Sequence, residues 1–205
     1  MLVLSEANLV FLAVPKTGTT SVEMALRPKS DMALMKGRKH ITAQRYRNKI
    51  APFLKQTFGI APQTLAVMRD PIEQIRSWYR YRSGARQQGG PKSTGGINFD
   101  DFVRAVISDD PPAFAGIGSQ FSFLTDGKGR LVVDHLFAYE TQPAFREFLS
   151  TRLNEDIIFK HKNVSPRAHA PLSENVEAEL RAARSREFAL YDRLMDAGGY
   201  LGPAA

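Results

Sequence analysis

Residues 8–21 read Asn-Leu-Val-Phe-Leu-Ala-Val-Pro-Lys-Thr-Gly-Thr-Thr-Ser, and the order of those types decides the fold. Leu9 to Val14 is an unbroken apolar run whose length and β-branched content suit a strand buried on both faces. Pro15 ends it, because proline has no N–H to give a sheet ladder, and a polar turn with one glycine follows. Val22, Ala25 and Leu26 then fall at helical spacing. A strand, a glycine-bearing turn and a helix start together form an anion cradle. The unpaired amides of the first helical turn point at the anion, and the helix dipole favours negative charge there. Lys16 adds a mobile cation, and the hydroxyls of Thr17, Thr19, Thr20 and Ser21 add donors. The stretch departs from the GxxxxGK[ST] phosphate loop, since its lysine precedes the glycine and the first loop glycine is missing. Taken alone, it also fits an ordinary strand–turn–helix with a solvated lysine.

The pattern recurs once. Thr64 to Met68 is a second short apolar strand, and Arg69-Asp70-Pro71 follows it. Asp70 suits a helix N-cap and Pro71 the first helical position, with Ile72, Ile75, Trp78 and Tyr79 as an apolar stripe beyond. In open α/β sheets the ligand crevice lies at the carboxyl ends of the strands, so Arg69 is expected to face the same crevice as Lys16. Ser77 lies two turns into this helix, near enough to its start to offer a hydroxyl. By itself Arg-Asp-Pro also fits a helix start with a surface ion pair.

Taken together, the two stretches resemble those of sulfotransferases that use 3′-phosphoadenosine 5′-phosphosulfate (PAPS). Pro15–Ser21 is similar to the family's 5′-phosphosulfate loop, and Val67–Arg82 to its 3′-phosphate segment, an arginine at a strand end followed by a serine. The resemblance implies an α/β fold, a P-loop-NTPase-like three-layer α/β/α with a central parallel sheet. It also implies transfer of a sulfuryl group from PAPS to an acceptor hydroxyl or amine, leaving adenosine 3′,5′-bisphosphate. Carried over by position, Lys16, Thr17, Gly18, Thr19, Thr20 and Ser21 hold the phosphosulfate, and Arg69 and Ser77 the 3′-phosphate. Members often carry arginine where this chain has Gln74, a departure from the pattern. The segment Lys39-His40-Ile41-Thr42-Ala43 resembles the family's Lys-His-x-x-Ala. Val132–Glu140 resembles a strand of the carbohydrate-type members that ends in an acid. Asn163-Val164-Ser165-Pro166-Arg167 resembles an Asn-x-Ser loop from which Arg167 reaches the nucleotide.

For the chemistry, Lys16 is the group expected to stabilise the leaving phosphate oxygen. His40, whose type titrates near neutral pH, is the expected general base. Glu23, expected to face away inside the first helix, and Glu140 are the alternatives, while His135, His161 and His169 stand in weaker contexts. No metal is expected, because lysine and backbone dipoles carry the charge.

Composition sets the outer bounds. At 205 residues, with 43% hydrophobic and 24% charged, the chain is expected to be one soluble domain spanning 1–205. A net charge of +7 suits an anionic ligand, and the absence of cysteine excludes disulfides and thiolate metal sites. Met1–Val14 has no basic start and carries Glu6, unlike a leader, and no run is long enough for a membrane span, so a cytoplasmic location is expected. The basic stretch Lys36–Lys49 is either a solvated face or a surface for an acidic or hydroxylated acceptor such as a glycan. No nucleic-acid partner is expected. Two other functions remain open: a nucleotide kinase of related fold, which needs a lysine after the glycine and a magnesium-binding acid, and a non-catalytic polyanion or nucleic-acid-binding protein.

The other segments yield a coarse map. Thr42 caps a helix that places Tyr46, Ile50 and Phe53 or Leu54 on one face, and residues 83–96 form a flexible Gly-rich loop. Asn98–Ile107 is a short amphipathic helix, Phe121–Phe123 a strand or turn, Asp126–Gly129 a tight turn and Leu131–Phe137 a strand. Thr141 or Gln142 caps a helix, and Ile157–Phe159 is a last strand. Ser173 opens one long structural helix with a stripe of Val176, Leu180, Ala183, Phe188, Tyr191 and Met195.

Overall fold

In a computed structural model of the chain, residues 1–159 and 170–203 are described. Of the apolar run expected as a strand over Leu9–Val14, Leu9–Leu12 forms one, ending before Pro15 where the Val14 amide turns back to the Leu12 carbonyl, and it pairs with an N-terminal neighbour that sequence reading missed. Strand β1 (Leu2–Leu4) and β2 (Leu9–Leu12) make an antiparallel hairpin, Val3 opposite Val10, turned by Asn8 in the left-handed region. Helix α1 (Thr19–Leu26) follows the loop, and a two-residue strand β3 (Met32–Ala33) then adds antiparallel to β1. Short α2 (Ala43–Arg45), a wide π-helical turn at Tyr46–Ile50 and α3 (Ala51–Phe58) lead to β4 (Gln63–Met68). Thr42 caps this run as expected, its hydroxyl accepting from the Arg45 amide at 3.2 Å, and Ala43, Tyr46 and Leu54 are its buried residues while Phe53 is exposed.

Strand β4 runs parallel to β2 and leads into α4 (Pro71–Ser83), then α5 (Phe99–Ile107) and α6 (Gln120–Leu124). Strand β5 (His135–Ala138) runs parallel to β4, and α7 (Gln142–Leu153), α8 (Glu174–Ala183), α9 (Ser185–Asp196) and an antiparallel edge strand β6 (Tyr200–Leu201) complete the order. The protein is therefore α/β with a mixed six-stranded open sheet, in the order β3-β1-β2-β4-β5-β6. The expected central parallel sheet is present only as β2, β4 and β5, because hairpin and edge pairings make the flanks antiparallel.

Alternation along the strands divides the core. Val10, Leu12, Ala66, Met68, Leu136 and Ala138 face α2, α3, α6 and α9, while Leu9, Phe11, Leu65, Val67 and Phe137 face α1 and α7. A separate apolar cluster joins α4, α5 and α8 through Ile75, Phe102 and Val176. No helix among the described residues is long and apolar enough to cross a membrane.

Four expectations are corrected. Phe121–Phe123 lies in a helix, because Ser119 caps it by accepting from the Ser122 amide at 3.3 Å. The strand expected over 131–137 narrows to His135–Ala138, with Leu131 forming only an isolated bridge to Thr125. Ile157–Phe159 is not in a strand. The long C-terminal helix is two helices meeting at Arg184, whose backbone turns out of the helical region (φ −114°, ψ 30°). That turn lets Phe188, Tyr191 and Leu194 face the core and leaves Ala183 and Met195 exposed. Within 83–96, Ala85–Gln87 forms one short turn, and buried Thr94 donates its hydroxyl to the Tyr79 carbonyl at 3.1 Å.

A buried histidine welds the sheet edge. His135 Nδ1 lies 2.8 Å from the Tyr200 hydroxyl and Nε2 3.1 Å from Gln63 Oε1, which can only accept and also takes an Arg152 N–H. That closer acceptor, against Arg152 Nη2 at 3.5 Å, favours the proton on Nε2, with Nδ1 accepting from Tyr200. Burial, and then the Arg152 charge, hold this imidazole below the ordinary 6.5. The unfolded chain thus takes up the proton first as pH falls. The ring's contribution is complete above about 6.5 and is lost as pH drops toward its folded pKa. Thermal melts are expected to show wild-type stability falling on acidification through this window. Tyr200→Phe, which strands a buried ring nitrogen, is expected to cost about 1–3 kcal/mol already at neutral pH. An unchanged melting temperature in that variant would exclude the weld.

Candidate functional site

The carboxyl ends of β2 and β4 deliver the two loops to one place. After β2 the backbone passes through Lys16 (φ 67°) and Gly18 (φ 71°), both left-handed, and this curls the loop back toward α1. For lysine that conformation costs about 1–2 kcal/mol, so the surroundings must impose it. Thr17, 2% exposed, donates its hydroxyl to the Val14 carbonyl at 2.9 Å. From α4, the Gln74 carboxamide donates to the Pro15 carbonyl at 3.2 Å. Gln74 thus braces the loop from behind, at the position where the resembled pattern places an arginine. The Tyr139 ring, just past β5, packs so close to Gly18 that a Cβ there would lie 2.9 Å from Tyr139 Cε2. Ser21 N–H closes on the Gly18 carbonyl at 3.0 Å, and the amides of Thr19 and Thr20 precede any intrahelical acceptor.

The second loop follows the sequence reading closely. Asp70 caps α4, its Oδ1 accepting from the Glu73 amide at 2.8 Å, with Pro71 as first helical residue. Arg69 lies over the face of Tyr139, 4.7 Å from the ring centroid, and its nearest carboxylate is Glu73 at 3.7 Å. Tyr139 therefore touches both loops. Lys16 Nζ rests 4.3 Å from the Tyr81 centroid and 5.5 Å from that of Trp78, two rings of α4 that pack edge to face. Burial in this apolar corner, then the Arg69 charge, lower the Lys16 pKa to about 8. Two cations standing close enough to depress one of them form a site that an anion would relieve.

His40 is tied to the same strand end. One ring nitrogen, Nδ1, lies 2.7 Å from the Ala13 carbonyl, an acceptor, so it carries the proton and Nε2 is the basic nitrogen. Desolvation, opposed by the Ala13 carbonyl, and the Lys39 ammonium, opposed by Glu23, leave its pKa below the usual histidine value. Glu23 does not face away as expected: it is buried and pairs with Lys39 Nζ at 3.0 Å, and that ammonium also reaches Thr19 Oγ1 at 3.3 Å. Lys39 is thus an internal strut of the basic stretch rather than part of a solvated face. Glu140 accepts from the Asp70 amide at 3.1 Å and from the Tyr191 hydroxyl, an occupied carboxylate.

The structure brings Lys16 and Gly18 of the first loop and Arg69 of the second together, around Tyr139, whereas the Thr17 hydroxyl, expected to hold the phosphosulfate, is taken by the Val14 carbonyl. Ser77 sits half-buried on α4. Arg167, with Asn163, Ser165, His161 and His169, lies outside the described residues. Sequence reading missed Tyr139, Tyr81 and Gln120; Gln120 pairs with both backbone polar groups of Arg69. Trp78 was placed in the apolar stripe, and only its contact with Lys16 shows a second use. The acid ending Val132–Glu140 was noticed, while the tyrosine beside it carried no local signal. A scan against models of protein families and a search of curated proteins each found no match.

Two measurements check this geometry. Titration of Lys16 by lysine-selective NMR is expected to give a pKa near 8. Arg69→Gln, which removes the repelling charge, is expected to raise it. Gly18→Ala, which combines a left-handed φ with the Tyr139 clash, is expected to cost at least about 1–2 kcal/mol in denaturant unfolding. A Lys16 value near that of free lysine and unaltered by Arg69→Gln would separate the two loops.

Proposed function

We propose that the protein is a sulfotransferase that takes its sulfuryl group from PAPS. The observation carrying this reading is the pair Lys16 and Arg69, placed at the carboxyl ends of two adjacent parallel strands and close enough that Arg69 lowers the Lys16 pKa. Helices against both faces of the sheet support, as part of the same proposal, a P-loop-like three-layer arrangement.

The residues fit an anionic nucleotide donor. Arg69 Nε and Trp78 Nε1 are buried N–H donors without a partner among the described residues. Gly18 leaves no room for a side chain beneath Tyr139. The donor set is cationic and amide-rich, as phosphate and sulfate oxygens require. When bound, PAPS supplies an activated sulfuryl group with adenosine 3′,5′-bisphosphate as its leaving portion. Lys16 and the amides at the start of α1 neutralise charge gathering on the leaving oxygen. Arg69, with Ser77 behind it, holds the 3′-phosphate. His40 Nε2 takes the proton of the acceptor hydroxyl while Nδ1 stays hydrogen-bonded to Ala13, which fixes the tautomer. The acceptor of this reading is a hydroxylated molecule; the basic stretch 36–49 does not all face it, since exposed Arg47 stands with Pro62, Thr64 and Asp134 at the amino ends of β4 and β5.

Calorimetry with adenosine 3′,5′-bisphosphate tests the reading. Binding to wild type is expected, and Lys16→Ala and Arg69→Ala are each expected to weaken it about tenfold or more, roughly 1.4 kcal/mol. Binding of ATP in its place would favour a nucleotide kinase. Binding of neither, with salt-sensitive retention of polyanions, would favour a non-catalytic polyanion-binding protein. In turnover assays the acid limb is expected below pH 6.5, because the His40 pKa is lowered, and His40→Gln is expected to abolish that limb.

A further inference from the structure

Arg69 is the first residue after β4, and its backbone lies beyond the β4–β5 ladder, which ends where the Tyr139 amide donates to the Met68 carbonyl at 2.7 Å. The next two backbone groups are taken up by a side chain. Gln120 Oε1 accepts from the Arg69 amide at 2.9 Å, and Gln120 Nε2 donates to the Arg69 carbonyl at 2.8 Å, as a neighbouring strand would. Gln120 is 1% exposed and is itself held. Its amide donates at 2.9 Å to the carboxylate of Glu187, which is 2% exposed and pairs with Arg184 at 3.3 Å. Glu140, bonded by Tyr191 one helical turn after Glu187, accepts from the following amide, that of Asp70. One face of α9 thus backs, through Gln120 and Glu140, the hydrogen bonds of the Arg69 and Asp70 backbone.

We propose that Gln120 is a positioning residue, held by Glu187, that aims Arg69 and so gives the site its preference for a nucleotide with a 3′-phosphate. The inference rests on the nucleotide reading of Arg69 given above. The physical basis is that both hydrogen bonds together fix the Arg69 backbone, hence the direction in which its side chain leaves the strand end. A long, flexible arginine discriminates one phosphate only when its origin is fixed. A merely structural glutamine at this place would lower stability on removal and affect every nucleotide alike.

The two roles separate in a comparison of adenosine 3′,5′-bisphosphate with adenosine 5′-monophosphate, by calorimetry on folded protein verified by circular dichroism. Gln120→Met is expected to weaken the bisphosphate about tenfold or more while leaving the monophosphate within about twofold. Added to Arg69→Ala, it is expected to weaken the bisphosphate no further, because the residue it positions is gone. Should Gln120→Met not fold, Gln120→Glu, which keeps the acceptor for the Arg69 amide and loses the donor to its carbonyl, is read in the same way. A folded variant with the wild-type ratio of affinities overturns the inference and leaves the nucleotide site standing. A wild type that does not prefer the bisphosphate overturns the nucleotide reading, and the positioning role with it.

Discussion

Where a strand of a buried sheet stops, its backbone loses ladder partners while still shielded from water, and each unpaired amide or carbonyl there costs free energy. The carboxyl ends of β2 and β4 meet this constraint with side chains. Thr17 takes the Val14 carbonyl, Gln74 the Pro15 carbonyl, Gln120 both groups of Arg69, and Glu140 the Asp70 amide. Every one of these partners comes from the crevice wall or from behind it. Satisfying the strand ends and shaping the site are therefore one operation, and three of the polar residues that do it, Thr17, Gln74 and Gln120, are among the least exposed in the protein.

The same economy explains the electrostatics. Of the cations near the crevice, Lys39 is paired internally with Glu23, whereas Lys16 lies against aromatic rings and beside Arg69. Aromatic faces accept a cation without neutralising it. Lys16 is held in place with its charge uncompensated, and this leaves the corner attractive to an anion. Arg69 is treated in the same way, over Tyr139 with Glu73 only at the edge of ion-pair range. A carboxylate paired to either cation would have made a structural ion pair in place of a site.

Some of this was legible in the chain because the physics is local. The β-branched apolar run from Leu9, bounded by Pro15, suits a buried strand, Asp70-Pro71 is a helix start by its own hydrogen bond and fixed φ, and Asn98 and Thr42 cap as their types dictate. Other features depended on distant partners. Phe121–Phe123 is apolar enough for a strand, but Ser119 capping and Gln120 pairing with Arg69 hold it as a helix. The break at Arg184 has no glycine or proline to announce it, and the helix after it places Glu187 against Gln120 and Tyr191 against Glu140.

The sequence by itself determined the alternation of strand, loop and helix, the two cation-bearing loops and the expectation that they meet. That follows from hydrophobic runs and turn chemistry that act over a few residues. Only the tertiary structure decided that the sheet is mixed, that Tyr139 bridges the loops, that Glu23 is spent on Lys39, and that Gln120 pairs with the Arg69 backbone. These depend on groups far apart in the chain, from Gly18 with Tyr139 to Gln120 with Glu187, and burial makes such pairings obligatory only once the chain has folded.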